Sequence, residues 1–307
     1  MPPSPLRVHS ALLAVSLLFG ANYVFTKQIL AEVPPRAWVL FRLSAATLVL
    51  VPLALWLRQR RSLPSARLWL GLAVASFFGV ALNQVLFTEG IARTTPEHSA
   101  VVNACIPTWT VVVAVLARQE PLSGRLVVAV ATALAGALYL LGIDRIALGG
   151  GIVEGGATDE GGATLLGDLL TMANAFSFAV HLVLMRRLAR HVDPWLATAI
   201  LFVLGVALLA PWSAPHVTAA AVDAVQQPRV LAFACYVVLG STVLPYLLNT
   251  WALRHTRSSQ VALYINVQPL VAASLNTLMG APPPGHRFFV ALALVALGLW
   301  LQTRLKR

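Results

Sequence analysis

The side chains of this 307-residue chain that are able to do chemistry inside its apolar runs are mostly amides. Asn22, Asn83, Gln84, Asn103, Asn174, Asn249, Asn266 and Gln268 stand within such runs, together with His181, Tyr246 and Tyr264. A carboxamide donates and accepts hydrogen bonds but neither titrates nor attacks near neutral pH, so it binds and does not catalyse. Polar groups in lipid are costly, and they mark either a solute path or bonds between helices. Tyr246 and Asn249 are three apart, and Tyr264 and Gln268 four apart, so each pair shares one helical face. Trp109 follows Pro107 and is placed either to stack on a solute or to pack in the core. His181 is able to titrate near neutrality, which allows proton coupling. The other reading is a neutral imidazole holding a backbone carbonyl.

Pro107, Pro245 and Pro269 each delete a backbone donor and free an upstream carbonyl, which suits a gating hinge or a fixed kink. Lys27, Arg42 and Glu89 fall near the outer ends of the first three apolar runs. One acid with two bases at one depth suggests an ion network that gates the outer mouth or meets an anionic group. The plainer reading is a structural pair plus a snorkelling side chain. No acid stands at midspan, which argues against a proton-driven multidrug exporter built on a buried carboxylate. The amide and aromatic lining suits a neutral or zwitterionic solute, with an amino-acid-like one favoured.

Several chemistries have no motif here. There is no G-x-x-x-x-G-K-[ST] phosphate loop, no H-E-x-x-H, no CxxC and no Ser/His triad pattern. No cofactor and no metal are expected. Cys105 and Cys235 sit in apolar runs and read as small core hydrophobes.

Positioning these groups requires elements that lipid tolerates. Hydrophobic residues make up 58% of the chain and charged residues 11%, against about 45–50% and about 25% in soluble domains. With a mean hydropathy of +0.79, the solvent is largely lipid. The net charge of +11 then reflects basic residues held on one membrane face, and no nucleic acid is expected. A spanning helix needs about 20 apolar residues. The sequence offers ten such runs, at about 8–31, 36–57, 67–90, 97–117, 124–143, 164–186, 194–212, 229–252, 258–280 and 286–304. The first resembles a signal peptide in part. Lys27 and the absence of a small-x-small cleavage site favour a retained helix. With the N-terminus inside, the inner segments carry Arg7, Arg58, Arg60, Arg61, Arg67, Arg118, Arg125, Arg186, Arg187, Arg190, Arg254, Arg257, Arg304, Lys306 and Arg307. The outer ones carry only Arg36, Arg93, Arg145, Arg229 and Arg287. This bias places both termini in the cytoplasm of a bacterial-type cell membrane. It also makes the Gly-rich stretch 144–163 a periplasmic linker.

The chain aligns with itself. At an offset of 162, Ile91-Ala92-Arg93-Thr94 lies over Leu253-Arg254-His255-Thr256, and Pro107 over Pro269. At an offset of 159, Asn22 lies over His181. The expected fold is therefore an all-α membrane protein of ten transmembrane helices, built as two inverted five-helix repeats, residues 1–143 and 164–307. Two such repeats admit two nearly equivalent packings, which is the basis of alternating access. The polar midspan residues fall on runs 1, 3, 4, 6, 8 and 9, which would then share a polar interior.

The run Phe19-Gly20-Ala21-Asn22-Tyr23-Val24-Phe25-Thr26-Lys27 resembles the opening helix of the EamA-type branch of the drug/metabolite transporter superfamily. The stretch from Ala92 through Pro107 to Glu120 is similar to that family's fourth helix, and Leu253 to Pro269 to its ninth. Gln119-Glu120 stands where the family often has Gly-Glu, and Pro282 where the second half would place a Glu. The resemblance implies a central cavity framed mainly by helices 1, 3, 4, 6, 8 and 9. It also implies small metabolites as substrates, often moved outward.

The expected function is thus a secondary transporter, not an enzyme, exporting a small polar or amphiphilic metabolite across the lipid bilayer. An ungated channel and a membrane-embedded lipid-modifying enzyme are the alternatives; the amides speak against the enzyme. Ala129, Ala133 and Ala137, at four-residue spacing, allow close helix packing, as an internal seam or the contact of a homodimer.

Overall fold

The computed structural model of the chain describes residues 5–57, 65–119, 122–143, 163–188, 191–245, 248, 264–265 and 267–304. Tyr246, Asn249 and Asn266 lie outside the described residues, as does nearly all of the 144–163 linker. The helices are α1 (Pro5–Ile29), α2 (Pro35–Leu57), α3 (Ala66–Arg93), α4 (Pro96–Leu116), α5 (Gly124–Leu140) and α6 (Leu165–Leu188). They continue as α7 (Pro194–Ser213), α8 (Ala219–Gln226), α9 (Pro228–Val243), α10 (Val267–Leu278) and α11 (His286–Arg304).

Local chemistry sets the helix starts. Thr95, Ser123, Asp193 and Thr218 each accept a backbone N–H of the following turn, so α4, α5, α7 and α8 begin on side-chain caps. Pro96, Pro194 and Pro228 occupy first-turn positions, where the missing N–H costs nothing. Gly280, at φ 97°, follows α10 in a conformation that a side chain would strain.

The expectation of ten spans in two inverted five-helix repeats is corrected by the observed helices. Among the described residues, six are long and apolar enough to cross a membrane: Leu6–Ile29, Pro35–Leu57, Ala66–Arg93, Pro96–Leu116, Leu165–Leu188 and Trp195–His216. Leu126–Leu140, Pro228–Val243 and His286–Leu301 are shorter apolar helices. Hydropathy measures apolar length, not helical length. The 124–143 run stops being regular helix at Leu140, and in the 258–280 run only Val267–Leu278 is a described continuous helix. The chain is an all-α, multi-span membrane protein.

Four packing groups position the polar residues. α1 packs on α9 and α10, and α6 packs on α3 and α4. α2 packs along α7, where Leu43, Ala46 and Leu50 share a core with Leu201, Phe202 and Leu209. α5 packs along α11. Ala129, Ala133 and Ala137 are fully buried in that last seam, and a Cβ added at Gly298 of α11 would stand 2.6 Å from the Ala133 Cβ. The small-residue stripe is therefore an internal seam, consumed by α11. Leu48, Trp56, Leu70, Leu116 and Leu278 are exposed, which lipid tails tolerate at no hydrophobic cost.

Candidate functional site

The first half of α4 meets α1 and α10, bringing the α1 group against the α6 group. Tyr23 of α1 stands at this junction. Its ring meets Phe87 of α3 edge-on, with centroids 5.7 Å apart. Its hydroxyl donates to Gln268 Oε1 at 3.5 Å, and the Asn103 side chain lies close to the same phenol. Tyr23, Asn103 and Gln268 are all buried. Tyr23 was legible in the sequence as a helix-1 residue but not singled out, because a single aromatic in an apolar run carries no spacing signal.

Four buried polar atoms of α3 and α4 lack a hydrogen-bond partner among the described residues. They are Gln84 Oε1 and Thr88 Oγ1 on α3, and Ser99 Oγ and Asn103 Oδ1 on α4. Each pair is four residues apart and so shares a face of its helix. The helices run antiparallel from the turn at Thr94-Thr95, which sets Gln84 at a depth similar to Asn103.

Asn22 lies on the other side of Tyr23. Its Oδ1 accepts from Ser241 Oγ of α9 at 2.9 Å and from Thr26 Oγ1 at 3.3 Å. Ser241 belongs to a widened π segment, Tyr236–Val243. A second π turn, Phe77–Ala81 of α3, meets His181, the residue that the sequence offset lays over Asn22. His181 Nδ1 lies 2.8 Å from the Ala75 carbonyl, so Nδ1 carries the hydrogen. The ring stacks on Phe178 at 5.5 Å and leaves no space at Gly79, where an added Cβ would lie 2.0 Å from Nδ1. Ser177 Oγ donates to the Phe78 carbonyl at 2.7 Å. Widened turns expose carbonyls to such side chains.

Other predicted residues are placed elsewhere. Asn83 and Asn174 bond each other's backbone, joining α3 to α6. Trp109 Nε1 points to Met172 Sδ at 3.1 Å, and its ring stands at 90° to Phe176. Tyr264 bonds His9 Nδ1 through its hydroxyl at 2.8 Å, and its carbonyl accepts from Ser16. Pro107 begins the second part of α4 just after the turn at Ala104-Cys105. Pro245 is buried just after α9, and Pro269 is buried in the first turn of α10.

Lys27, Arg42 and Glu89, expected to form one network, take the following partners. Lys27 Nζ donates to the carbonyls of Ile91, Ala92 and Thr94 at 3.0, 2.9 and 2.8 Å. Carbonyls freed at a helix C-terminus attract a cation, so Lys27 fastens α1 to the end of α3. Glu89 pairs with Arg93 at 2.5 Å and with Arg36 at 3.5 Å. Arg42 donates to Thr242 Oγ1 at 3.3 Å and lies over the Phe87 ring. Glu97 accepts from Asn276 Nδ2 of α10 at 3.0 Å. Among the described residues no cluster of His, Cys, Asp or Glu is arranged to hold a metal.

Known proteins supply the class. The EamA-like transporter family profile matches residues 6–142 and 165–304. An uncharacterized transporter of Archaeoglobus fulgidus is 25% identical over 269 residues, covering 87% of each chain. A WAT1-related protein of Arabidopsis thaliana is 32% identical over 114 residues, covering 36% of this chain and 32% of its own length. A crystal structure superimposes with a TM-score of 0.62 at 18% identity, covering 97% of both chains, and supports the fold. The matched segments fall on either side of the linker and together span most of the sequence. The chain belongs to the EamA-like transporter family: it is a multi-pass membrane transporter that moves small solutes across the bilayer, not an enzyme.

Proposed function

We propose that this transporter exports a small polar or amphiphilic metabolite, amino-acid-like in character, from the cytoplasm by alternating access. The observation that carries the reading is the set of unpartnered atoms at Gln84, Thr88, Ser99 and Asn103. A buried polar atom without a partner costs about 1–3 kcal/mol. A solute seated between α1 and α4 would satisfy several at once. Gln84, Asn103, Tyr23 and Gln268 would bind it, with Asn22 beside them. Lys27, fastened to three carbonyls, would close the outer end, and Pro107, Pro245 and Pro269 would bend as the path changes sides. The halves 1–143 and 164–307 would be joined by a periplasmic linker, with both termini in the cytoplasm of a bacterial-type cell.

Counterflow in proteoliposomes tests this. Vesicles are loaded with unlabelled L-phenylalanine, L-threonine, uracil or glucose, and uptake of the same labelled solute is followed. Saturable uptake stimulated by internal solute is expected for one class. Linear, unstimulated flux would replace the carrier with a channel.

A further inference from the structure

We propose that Asp168 and His98 form a proton-binding site that couples solute movement to proton movement, an inference that rests on the carrier reading above. Asp168 stands in the first turn of α6 and is fully buried, while His98 in the first turn of α4 is 2% exposed. Asp168 Oδ2 and His98 Nδ1 are 3.0 Å apart. Thr94 Oγ1 donates to Asp168 Oδ1, which holds the carboxylate with its second oxygen towards the imidazole. The pair is not needed to finish a helix. Thr164 caps α6 by accepting from Gly167 N, and Thr95 caps α4 by accepting from His98 N.

The surrounding charges are engaged elsewhere. From α1, Lys27 reaches carbonyls. On α3, Glu89 and Arg93 pair with each other, and on α4 Glu97 takes the Asn276 amide. At the same end of α11, Arg287 donates to the Tyr139 carbonyl of α5. His286 precedes it, and α10 carries no charged side chain. The imidazole is therefore the basic side chain bonded to Asp168.

A dehydrated carboxylate beside a neutral imidazole leaves a buried charge without compensation, whereas one added proton makes the pair an internal ion pair. In open water the carboxylate is hydrated and an imidazole gives up its proton near neutral pH. The step is one bond change. The Nδ1–H of imidazolium His98 breaks, the proton passes to outer water, and Asp168 stays a carboxylate; closing reverses it. Thr94 connects this step to the mouth. Its hydroxyl holds Asp168, and its carbonyl accepts Lys27 at 2.8 Å. Withdrawal of α1 thus loosens the residue that orients the pair and lets water reach it.

The first arm needs no solute. Infrared difference spectra are recorded against pH for the full chain in lipid nanodiscs, as native protein, Asp168→Asn and His98→Gln. The expected result is an imidazole signal that titrates in native protein, is lost in His98→Gln and is shifted in Asp168→Asn. Superimposable native and Asp168→Asn spectra overturn the site. In the second arm, proteoliposomes containing pyranine receive gradients of L-phenylalanine, L-threonine, uracil or glucose. Internal pH is expected to move with the transported solute in native protein. Both variants are expected to lose that movement while keeping counterflow, which also shows that they are folded. Counterflow without proton movement in native protein, or proton movement retained in the variants, overturns the coupling. Absence of counterflow from every native sample defeats the carrier reading instead, and the infrared arm then decides the site alone.

Discussion

Asn83 and Asn174 each donate their side-chain amide to the other's backbone carbonyl, at 3.3 and 2.8 Å. The two bonds form a reciprocal clasp between α3 and α6, and both residues are buried. Amides committed in this way hold the scaffold beside the path. Interhelical bonds in membranes contribute about 0.6 kcal/mol each on average. Asn83→Ala and Asn174→Ala are each expected to lower the unfolding temperature in detergent modestly while leaving the KM of counterflow unchanged. A raised KM with unaltered unfolding would move both residues into the solute site.

Gly79 and His181 test the π turn of α3. With an added Cβ only 2.0 Å from Nδ1, Gly79→Ala must push the ring away from the Ala75 carbonyl. Overpacking of this kind costs about 1–3 kcal/mol. The double variant Gly79→Ala/His181→Ala is expected to be more stable than Gly79→Ala alone in thermal unfolding. If the double variant is less stable than either single one, the ring and the glycine are not in conflict.

The α5–α11 seam predicts a strong position dependence. Gly298→Val places atoms against Ala133 and the Ala129 carbonyl, 2.6 and 2.7 Å from the first new carbon. A loss of about 1–3 kcal/mol is expected. Leu138→Val on an exposed position of α5 is expected to change stability by less than about 0.5 kcal/mol. Equal effects in chemical unfolding would refute the seam.

Lys27 offers a test of the outer closure. Lys27→Met removes three hydrogen bonds between α1 and the end of α3. In a background with Cys105 and Cys235 replaced by Ala, Ser99→Cys is buried beyond that closure. Its alkylation by a membrane-impermeant maleimide from the outer face is expected to speed up when Lys27→Met is added. An unchanged rate would make Lys27 a helix fastener with no part in opening.

Much of the site was legible because lipid makes polar residues conspicuous. Asn22, Asn103 and Gln268 stand out in apolar runs, and the structure buries all three near Tyr23. What the sequence left hidden depends on geometry. Asp168 looks like an ordinary first-turn acid at a helix N-terminus, and His98 lies 70 residues away; only the packing of α4 on α6 joins them. The Lys27, Arg42 and Glu89 grouping rests on common depth, which does not report the rotation about each helix that sets the partners. Ten apolar runs suggested ten spans, because hydropathy does not register where a helix narrows, breaks or ends. The stop of α5 at Leu140 is such a place.

The unpartnered atoms on α3 and α4 give the central test. Gln84→Met and Asn103→Leu keep roughly the size of each side chain and remove an acceptor without a partner. Removing such an atom relieves its desolvation cost of about 1–3 kcal/mol. Counterflow of the solute class identified for native protein should be measured beside thermal unfolding for both variants. The predicted result is lost or severely weakened counterflow in proteins at least as stable as the native one. Native counterflow kinetics in both variants would contradict a solute site between α1, α3 and α4.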